Sequence, residues 1–255
     1  MIPKIKKYAF LFSELVKRDF KKKYKRTVLG MGWSLLSPLL NLLVMTLVFS
    51  SFFGSGMDHY TIYLFCGNLV FSYYRESTTG GMSSLLANAS IFTKVNVPKY
   101  LFLLSKNVSA LINFGLTMCV FFLFCFLDHV SFTWRFAGLL YPVLCLVAFN
   151  IGVGMILSAL YVFFRDITYL YDVFTMLLMY MSAIFYTVDR FSPLMQKLFY
   201  CNPLYCCITY FRSVVLHGTL PSLGLHVLCA VYAAAALLAG AGVYKKYNHM
   251  FLYYV

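Results

Sequence analysis

The stretch FAGLLYPVLCLVAFNIGVGMILSALYVFF, residues 136–164, decides the class of fold because it contains no charged side chain. A helix of about 20 mostly apolar residues crosses the hydrocarbon core of a bilayer, so this stretch is long enough to span a membrane. In the whole chain only 11% of the residues are charged, whereas soluble domains average about 25%. The mean hydropathy of +0.78 agrees with this pattern. The sequence therefore predicts an all-α integral membrane protein.

Apolar stretches of similar length recur on both sides of this segment. They predict six transmembrane helices at residues 33–53, 61–81, 107–127, 136–164, 167–186 and 223–243. Residues 83–100 are too few and too polar to cross, so we expect an elbow on the inner side of the membrane. Residues 187–222 are aromatic and are interrupted by Pro193, Pro203 and Pro221, which excludes one straight crossing. We expect outer re-entrant helices there, within one transmembrane domain of residues 1–255.

Residues 5–26 predict an amphipathic helix that lies on the membrane surface. Apolar residues recur there at three- and four-residue spacing with Lys and Arg between them: Ile5, Tyr8, Ala9, Phe12, Leu15, Val16 and Phe20. An ordinary surface helix of a globular domain is the alternative. A membrane span follows almost immediately, which favours the interfacial helix.

The basic residues predict the orientation. The net charge is +13, and ten of the 21 Lys and Arg residues precede residue 27. Because short cytoplasmic loops retain Lys and Arg, both termini are predicted to be cytoplasmic in a multi-pass protein. The same surface is expected to face anionic membrane lipid. Nucleic acid is a poor candidate partner, since no binding domain accompanies the basic run.

The chain lacks the sequence marks of common catalytic sites. It contains no G-x-x-x-x-G-K-[ST] phosphate loop, no nucleophile elbow and no H-E-x-x-H zinc pair. The eight cysteines show no metal-ligand spacing. Cys201, Cys206 and Cys207 cluster in the segment predicted outside, where a disulfide and unpaired thiols are both open interpretations. An enzyme is therefore disfavoured.

Arg75 and Glu76 are the clearest candidates among the ionisable residues placed inside a predicted crossing. Charged side chains cost several kcal/mol at membrane depth, so they are functional candidates by default. Adjacent residues lie about 100° apart around a helix, so the two cannot simply neutralise each other. At least one should face a partner helix, a second subunit or a water-filled path. The alternative is that both lie near the inner end and extend to the cytoplasm.

Several short motifs, taken in order, resemble a known family. They are KRDFKKKYKR at residues 17–26, LG at 29–30, WS at 33–34, PL at 38–39, then Asn88, Lys94, Pro98, Arg165-Asp166, Asn202-Pro203-Leu204 and Arg212. This series resembles the type-2 ABC-exporter permeases that export polysaccharides such as O-antigen, capsule and teichoic acid. The matches extend over nearly the whole chain.

The resemblance implies a homodimer that binds two copies of a separate ATPase subunit in the bacterial cytoplasmic membrane. ATP and Mg²⁺ would bind that partner, and this chain would hold no cofactor. The interfacial helix and the inner elbow would contact the ATPases. Candidate coupling residues are Arg18, Asp19, Asn88, Lys94, Pro98, Arg165 and Asp166.

The cargo implied by the resemblance is a glycan linked to a polyprenyl diphosphate. Candidate residues of its path are Arg75, Glu76, Tyr186, Phe191, Tyr200 and Tyr205. Aromatic faces can stack on sugar rings, but a general aromatic belt at the membrane interface would use the same residue types. Both interpretations stay open here.

Other functions compete with polysaccharide export. Exporters of drugs or small lipid-like molecules share the fold and are the nearest alternative. A channel or ion-coupled carrier would need mid-membrane polar residues or repeated halves, and the sequence shows neither. An ATPase encoded beside this chain would favour an ABC exporter.

Overall fold

The computed structural model describes residues 2–25, 27–54, 58–95 and 97–254. The α-helices are α1 (Ile2–Tyr24), α2 (Trp33–Phe53), α3 (Tyr60–Ala87), α4 (Ala89–Phe92), α5 (Tyr100–Leu127), α6 (Leu140–Phe163), α7 (Ile167–Met181), α8 (Pro193–Phe199), α9 (Pro203–Val215) and α10 (Leu223–Tyr247). Within those described ranges there is no strand. The all-α prediction is confirmed.

Four helical stretches are long and apolar enough to cross a membrane in the part of the chain that the structure describes. They are Gly30–Phe53, Tyr100–Leu127, Trp134–Phe163 and Leu223–Tyr247. They contain most of the predicted first, third, fourth and sixth crossings. The predicted second crossing lies on α3, whose apolar content is lowered by Arg75, Glu76 and several hydroxyl residues. The predicted fifth lies on α7, which has 15 residues. Length and composition thus account for four of the six predicted crossings.

Helix α3 occupies the centre of the bundle and packs against α2, α5, α6 and α9. Its N-terminal half is mostly apolar and buried, with Phe65 and Leu69 fully so. Farther along, Gly81 allows α6 to approach closely, since a Cβ there would lie 3.2 Å from the Cα of Gly154. Small residues at this crossing therefore let two backbones meet.

Helices α6 and α10 form the most extensive contact between two helices described here. A Cβ built on Gly152 would lie 2.2 Å from the carbonyl carbon of Ala236, and one on Gly240 would lie 2.5 Å from the Gly152 oxygen. These positions permit backbone-to-backbone packing. Ala236 and Gly240 are small residues one turn apart on α10, which places both at this contact.

The connections between helices gather at two opposite ends of the bundle. At one end, here called the α1 end, a buried apolar cluster joins α1, α3, α4, α5, α6 and α10 through Leu15, Leu85, Phe92, Phe102, Val162, Tyr244 and Phe251. At the other, here called the α9 end, His59 Nδ1 lies 2.9 Å from Asp128 Oδ2, joining the α2–α3 turn to the α5–α6 turn. The predicted inner loops therefore share one end and the predicted outer loops share the other.

Helix α7 ends at Met181 and is shorter than the predicted crossing of residues 167–186. The chain then leaves helical geometry, with a φ of +49° at Ala183, a value that side-chain-bearing residues rarely adopt. Pro203 stands at the first position of α9, which suits a residue without a backbone N–H. Asn202 caps the same helix by accepting from the Leu204 N–H at 2.9 Å.

The eight cysteines are all free thiols. Cys206 and Cys207 are buried in α9, whereas Cys201 is exposed. The disulfide left open for this cluster is therefore not formed.

Candidate functional site

A polar network at the α1 end, here called the coupling cluster, is centred on Asp19. This carboxylate is only 7% exposed. Its Oδ1 accepts from Arg18 Nη2 at 2.8 Å and lies 3.1 Å from Lys106 Nζ, while Oδ2 accepts from Ser105 Oγ at 3.3 Å. A buried charge is tolerated when it is paired and hydrogen-bonded in this way. The network fastens α1 to the beginning of α5.

Asn88 joins the same network from the junction of α3 and α4. Arg18 Nη2 donates to Asn88 Oδ1 at 2.8 Å, and the fully buried Asn88 donates from Nδ2 to the Ser84 carbonyl at 2.8 Å. Three of the predicted coupling residues, Arg18, Asp19 and Asn88, are thus brought into one cluster from distant parts of the sequence.

The other predicted coupling residues lie at the same end of the bundle but outside this network. Lys94 is exposed in the turn between α4 and α5. Pro98 is half-buried and lines an apolar groove of about 430 Å³ together with Tyr8 and Phe12 of α1. Arg165 and Asp166 are exposed in the turn between α6 and α7. Helix α1 and the elbow therefore meet at this groove, and the α6–α7 turn lies at the same end.

Lys106 and Ser105 were not predicted as members of the site. In the sequence Lys106 is one more basic residue just before a crossing, which is common on the inner side of a membrane. The sequence feature that could have revealed them is Asp19, an acidic residue within a basic helix. Such a residue requires a cationic partner when its helix packs against the bundle.

The side chains of Arg75 and Glu76 point in different directions, as their adjacent positions on α3 predict. Glu76 Oε1 lies 2.9 Å from Lys23 Nζ of α1 and accepts from Asn113 Nδ2 of α5 at 2.5 Å. The Arg75 side chain is exposed on the bundle. Glu76 therefore faces partner helices, one of the alternatives that the sequence left open.

Glu76 also borders two polar cavities between the helices. One, of about 410 Å³, is lined by α2, α3 and α5 and includes Asn41, Asn68 and Asn113. The other, of about 390 Å³, lies toward the α1 end and includes Asp19. Lys23 and Glu76 line both cavities. A polar track thus runs beside α3 from the coupling cluster into the bundle.

Arg212 organises the opposite end of the molecule. Its side chain is buried, and its guanidinium carbon lies 3.4 Å from the centre of the Tyr63 ring. Nη1 donates to the Ala183 carbonyl and Nη2 to the Ile184 carbonyl, each at 3.0 Å. A planar guanidinium suits this combination of stacking and forked donation. Arg212 therefore holds the non-helical segment after α7 against α3 and α9.

A cavity of about 640 Å³, here called the α9 cavity, opens beside Arg212. Its polar lining comes from the α2–α3 turn, the segment after α7 and α9, and includes Asp58, His59, Asp189, Tyr205, Thr209, Ser213 and His217. Tyr205, Thr209 and Ser213 are four residues apart and so share one face of α9. Hydroxyl and carboxylate groups dominate this lining.

The predicted aromatic residues of the path gather around Phe199 at the same end. The centre of the Tyr186 ring lies 5.9 Å from that of Phe191, and Tyr205 lies 5.3 Å from both Phe199 and Tyr200. These separations are typical of packed aromatic pairs. We call this group the aromatic cluster. Tyr205 is buried and also lines the α9 cavity, whereas Phe191 and Tyr200 are partly exposed.

Comparison with known proteins identifies the family. The family model described as ABC-2 type transporter matches residues 11–216. The chain belongs to the ABC-2 type transporter family. This ABC-2 match runs from α1 to just past α9, so it includes the coupling cluster and the lining of the α9 cavity except His217. The resemblance noted from the short motifs is confirmed.

Relatives of this ABC-2 chain align over nearly its full length. Two proteins of Klebsiella pneumoniae, both named O-antigen export system permease protein RfbA, are 28% and 27% identical over 252 residues, covering 95% of each chain. A Myxococcus xanthus protein of the same name is 23% identical over 255 residues, with 98% of this chain and 97% of the relative covered. The ABC-2 chain is thus similar to membrane permease subunits of ABC transporters.

Proposed function

We propose that the chain is the transmembrane subunit of an ABC transporter that exports a lipid-linked polysaccharide of the O-antigen type. Export would proceed across the bacterial cytoplasmic membrane and would be powered by a separate ATPase subunit. The observation that carries this proposal is the alignment of named O-antigen export permeases with 95% of this chain. An alignment of that extent involves both ends of the bundle rather than a single motif.

The proposed topology has six crossings, with α3 and α7 as the second and fifth. Support for α3 comes from its position between α5 and α6, and from polar side chains that bond inside the bundle. Ser77 Oγ donates to Asn107 Oδ1 at 2.6 Å, and Tyr171 of α7 donates to Thr78 Oγ1 at 2.5 Å. Helices α8 and α9 would be re-entrant from the outer side. Both termini, with the basic α1 end, would face the cytoplasm.

Two copies of the chain and two ATPase subunits would form the working complex, and ATP and Mg²⁺ would bind the ATPases alone. The exposed residues Lys94, Arg165 and Asp166 would lie on the surface that meets the ATPases. Movement of α1 would reach α3 and α5 through the coupling cluster, because Arg18 and Asp19 bond to both helices. Through this connection α1 would transmit movement of the ATPases to the bundle, in addition to binding the membrane surface.

The glycan path is proposed to pass between the two copies. Helices α2 and α7 support this, since they expose apolar side chains such as Leu47 (69%) and Val173 (70%) that lipid or a second copy must cover. At the outer end, the aromatic cluster and the α9 cavity offer stacking faces and hydroxyl-binding groups, which suit sugar rings. Arg75 and Glu76 would mark the inner part of the path.

Replacing Asp19 with asparagine tests the coupling cluster. Because Arg18 and Lys106 would lose a buried anionic partner, we expect export to fall by about tenfold or more while the protein still inserts. The measurement is surface glycan per inserted permease in cells. Glu14→Gln is the matched control, since Glu14 forms an exposed pair with Lys17 on the same helix and such pairs contribute little. Wild-type export by Asp19→Asn would exclude a coupling role for this cluster.

Deleting the gene tests the proposed cargo. The proposal predicts loss of surface polysaccharide and accumulation of its lipid-linked precursor on the cytoplasmic side, with restoration by the wild-type chain. Extraction of lipid-linked glycan and labelling of surface glycan measure the two pools. The second candidate function, export of a drug or small lipid-like molecule, predicts unchanged surface glycan and increased sensitivity to an amphipathic compound.

A further inference from the structure

The C-terminal segment contacts the elbow, residues 83–100, through Lys99. The Lys99 amine donates to the backbone carbonyl of Asn248, directly after α10. The same ammonium lies 5.4 Å from the centre of the Phe251 ring and 5.9 Å from that of Phe92 on α4. One lysine of the elbow thus contacts both α4 and the C-terminal turn, by a charge-assisted hydrogen bond and two cation–π contacts.

Phe251 anchors the C-terminal turn in the bundle. Its side chain is fully buried, and its ring lies 5.4 Å from Tyr244 of α10 and 6.1 Å from Phe163 of α6. Phe163 also contacts Tyr254 at 5.0 Å. The turn Met250–Leu252 is therefore attached to both α6 and α10. Those two helices form the tight pair at Gly152 and Gly240, so the attachment is to a rigid body.

The Lys99 amine is partly withdrawn from solvent. Burial lowers the pKa of the Lys99 amine from its ordinary value. Partial exclusion of water raises the contribution of a cation–π contact above its value at an exposed site. By contrast, Lys245, at the same end of α10, is exposed.

We propose that Lys99 is a positioning residue for energy coupling and that residues 248–252 are a further attachment of the elbow, one that connects it to α6 and α10. The proposal rests on the function proposed above. Without this attachment the elbow is held by its flanking helices α3 and α5, by the Arg18–Asn88 hydrogen bond from α1 and by the buried Phe92. With it, force that an ATPase applies to the elbow also reaches the α6–α10 pair. The C-terminal segment thereby takes part in transport without contacting nucleotide or cargo.

The test compares Lys99→Gln, Lys99→Arg and Phe251→Ala in the complete permease–ATPase complex in lipid vesicles. We expect the amount of glycan exported per ATP hydrolysed to fall by about tenfold in Lys99→Gln and Phe251→Ala, because each variant removes part of the connection between the elbow and the C-terminal turn. Lys99→Arg, which keeps the cation, should restore most of this ratio. Lys245→Gln is the charge-matched control and should keep the wild-type ratio. A general folding defect would lower the amount of complex rather than the ratio.

Hydrogen–deuterium exchange supplies a readout that does not depend on transport. In Lys99→Gln, exchange should rise in the peptides that contain Phe92 and Phe251, and stay unchanged in α3 and α5. A wild-type ratio together with unchanged exchange in both peptides would overturn the attachment and leave the proposed function standing. If the wild-type complex exports no glycan, the proposed function fails, and the coupling role of Lys99 fails with it.

Discussion

Gly152→Ala is expected to prevent α6 and α10 from packing and to reduce the yield of folded protein severely. The added Cβ would lie 2.2 Å from the Ala236 carbonyl carbon and 2.3 Å from its oxygen. These are backbone atoms, so no side-chain rotation relieves the overlap and the helices must separate. Overpacking usually costs about 1–3 kcal/mol, and a clash between backbones should reach or exceed the upper end of that range.

Thermal unfolding of the detergent-solubilised protein measures this effect. Gly242→Ala is the matched control, because Gly242 lies on α10, the other helix of this pair, and an added Cβ there meets no atom within 4 Å. The control should keep or slightly raise the unfolding temperature, since alanine is the better helix former. An unchanged unfolding temperature in Gly152→Ala would contradict the close packing of α6 on α10.

Arg212→Met is expected to disrupt the α9 end and abolish export. The carbonyls of Ala183 and Ile184 would lose their donors, and each unsatisfied buried carbonyl costs about 1–3 kcal/mol. The stacking contact with Tyr63 would be lost as well. Arg212→Lys should be nearly as damaging, because an ammonium cannot stack and donate as a planar fork.

Limited proteolysis of the segment after α7, together with surface glycan, measures the effect of the Arg212 variants. Arg190→Gln is the control, because Arg190 lies in the same segment but its side chain is exposed. We expect rapid cleavage near Ala183 in both Arg212 variants and none in the control. Normal protection and normal export by Arg212→Lys would show that the forked geometry is unnecessary.

Hydropathy predicted the crossings that are defined by composition alone. Residues 33–53 coincide with α2, and residues 223–243 lie within α10. The end of α3 could not be predicted in this way, because Ser83 and Ser84 resemble a loop. Ser84 and Leu85 are in fact buried at the α1 end, and the helix continues to Ala87. Tertiary burial, which a local hydropathy window does not detect, extends this helix into the predicted elbow.

Residues far away in the sequence determine where α7 ends. Residues 182–186 are compatible with a helix by composition. Arg212 of α9 instead donates to the carbonyls of Ala183 and Ile184. The hydroxyls of Tyr60 and Tyr63 of α3 donate to those of Phe185 and Tyr186. A prediction from local pattern therefore extends α7 five residues too far. The prolines at positions 193 and 203, by contrast, act locally. The sequence predicted that they interrupt a straight crossing, and α8 and α9 begin at them.

The candidate site was predictable where the residues themselves form motifs. Arg18, Asp19 and Asn88 were selected from the family resemblance, and they lie in one network. In the sequence Lys99 and Lys106 are two more basic residues near a predicted crossing, because their partners, Asn248 and Asp19, lie far from them in the chain. Pairings of this kind appear only when the helices are packed.

Glycan movement in purified vesicles tests the central claim most directly. Vesicles would contain this chain with or without its ATPase subunit, and a radiolabelled polyprenyl-diphosphate-linked glycan would be followed across the bilayer. The account predicts movement that requires the ATPase, ATP and Mg²⁺ together, and no nucleotide turnover by the chain alone. Glycan movement at the same rate in vesicles that lack the ATPase would contradict it.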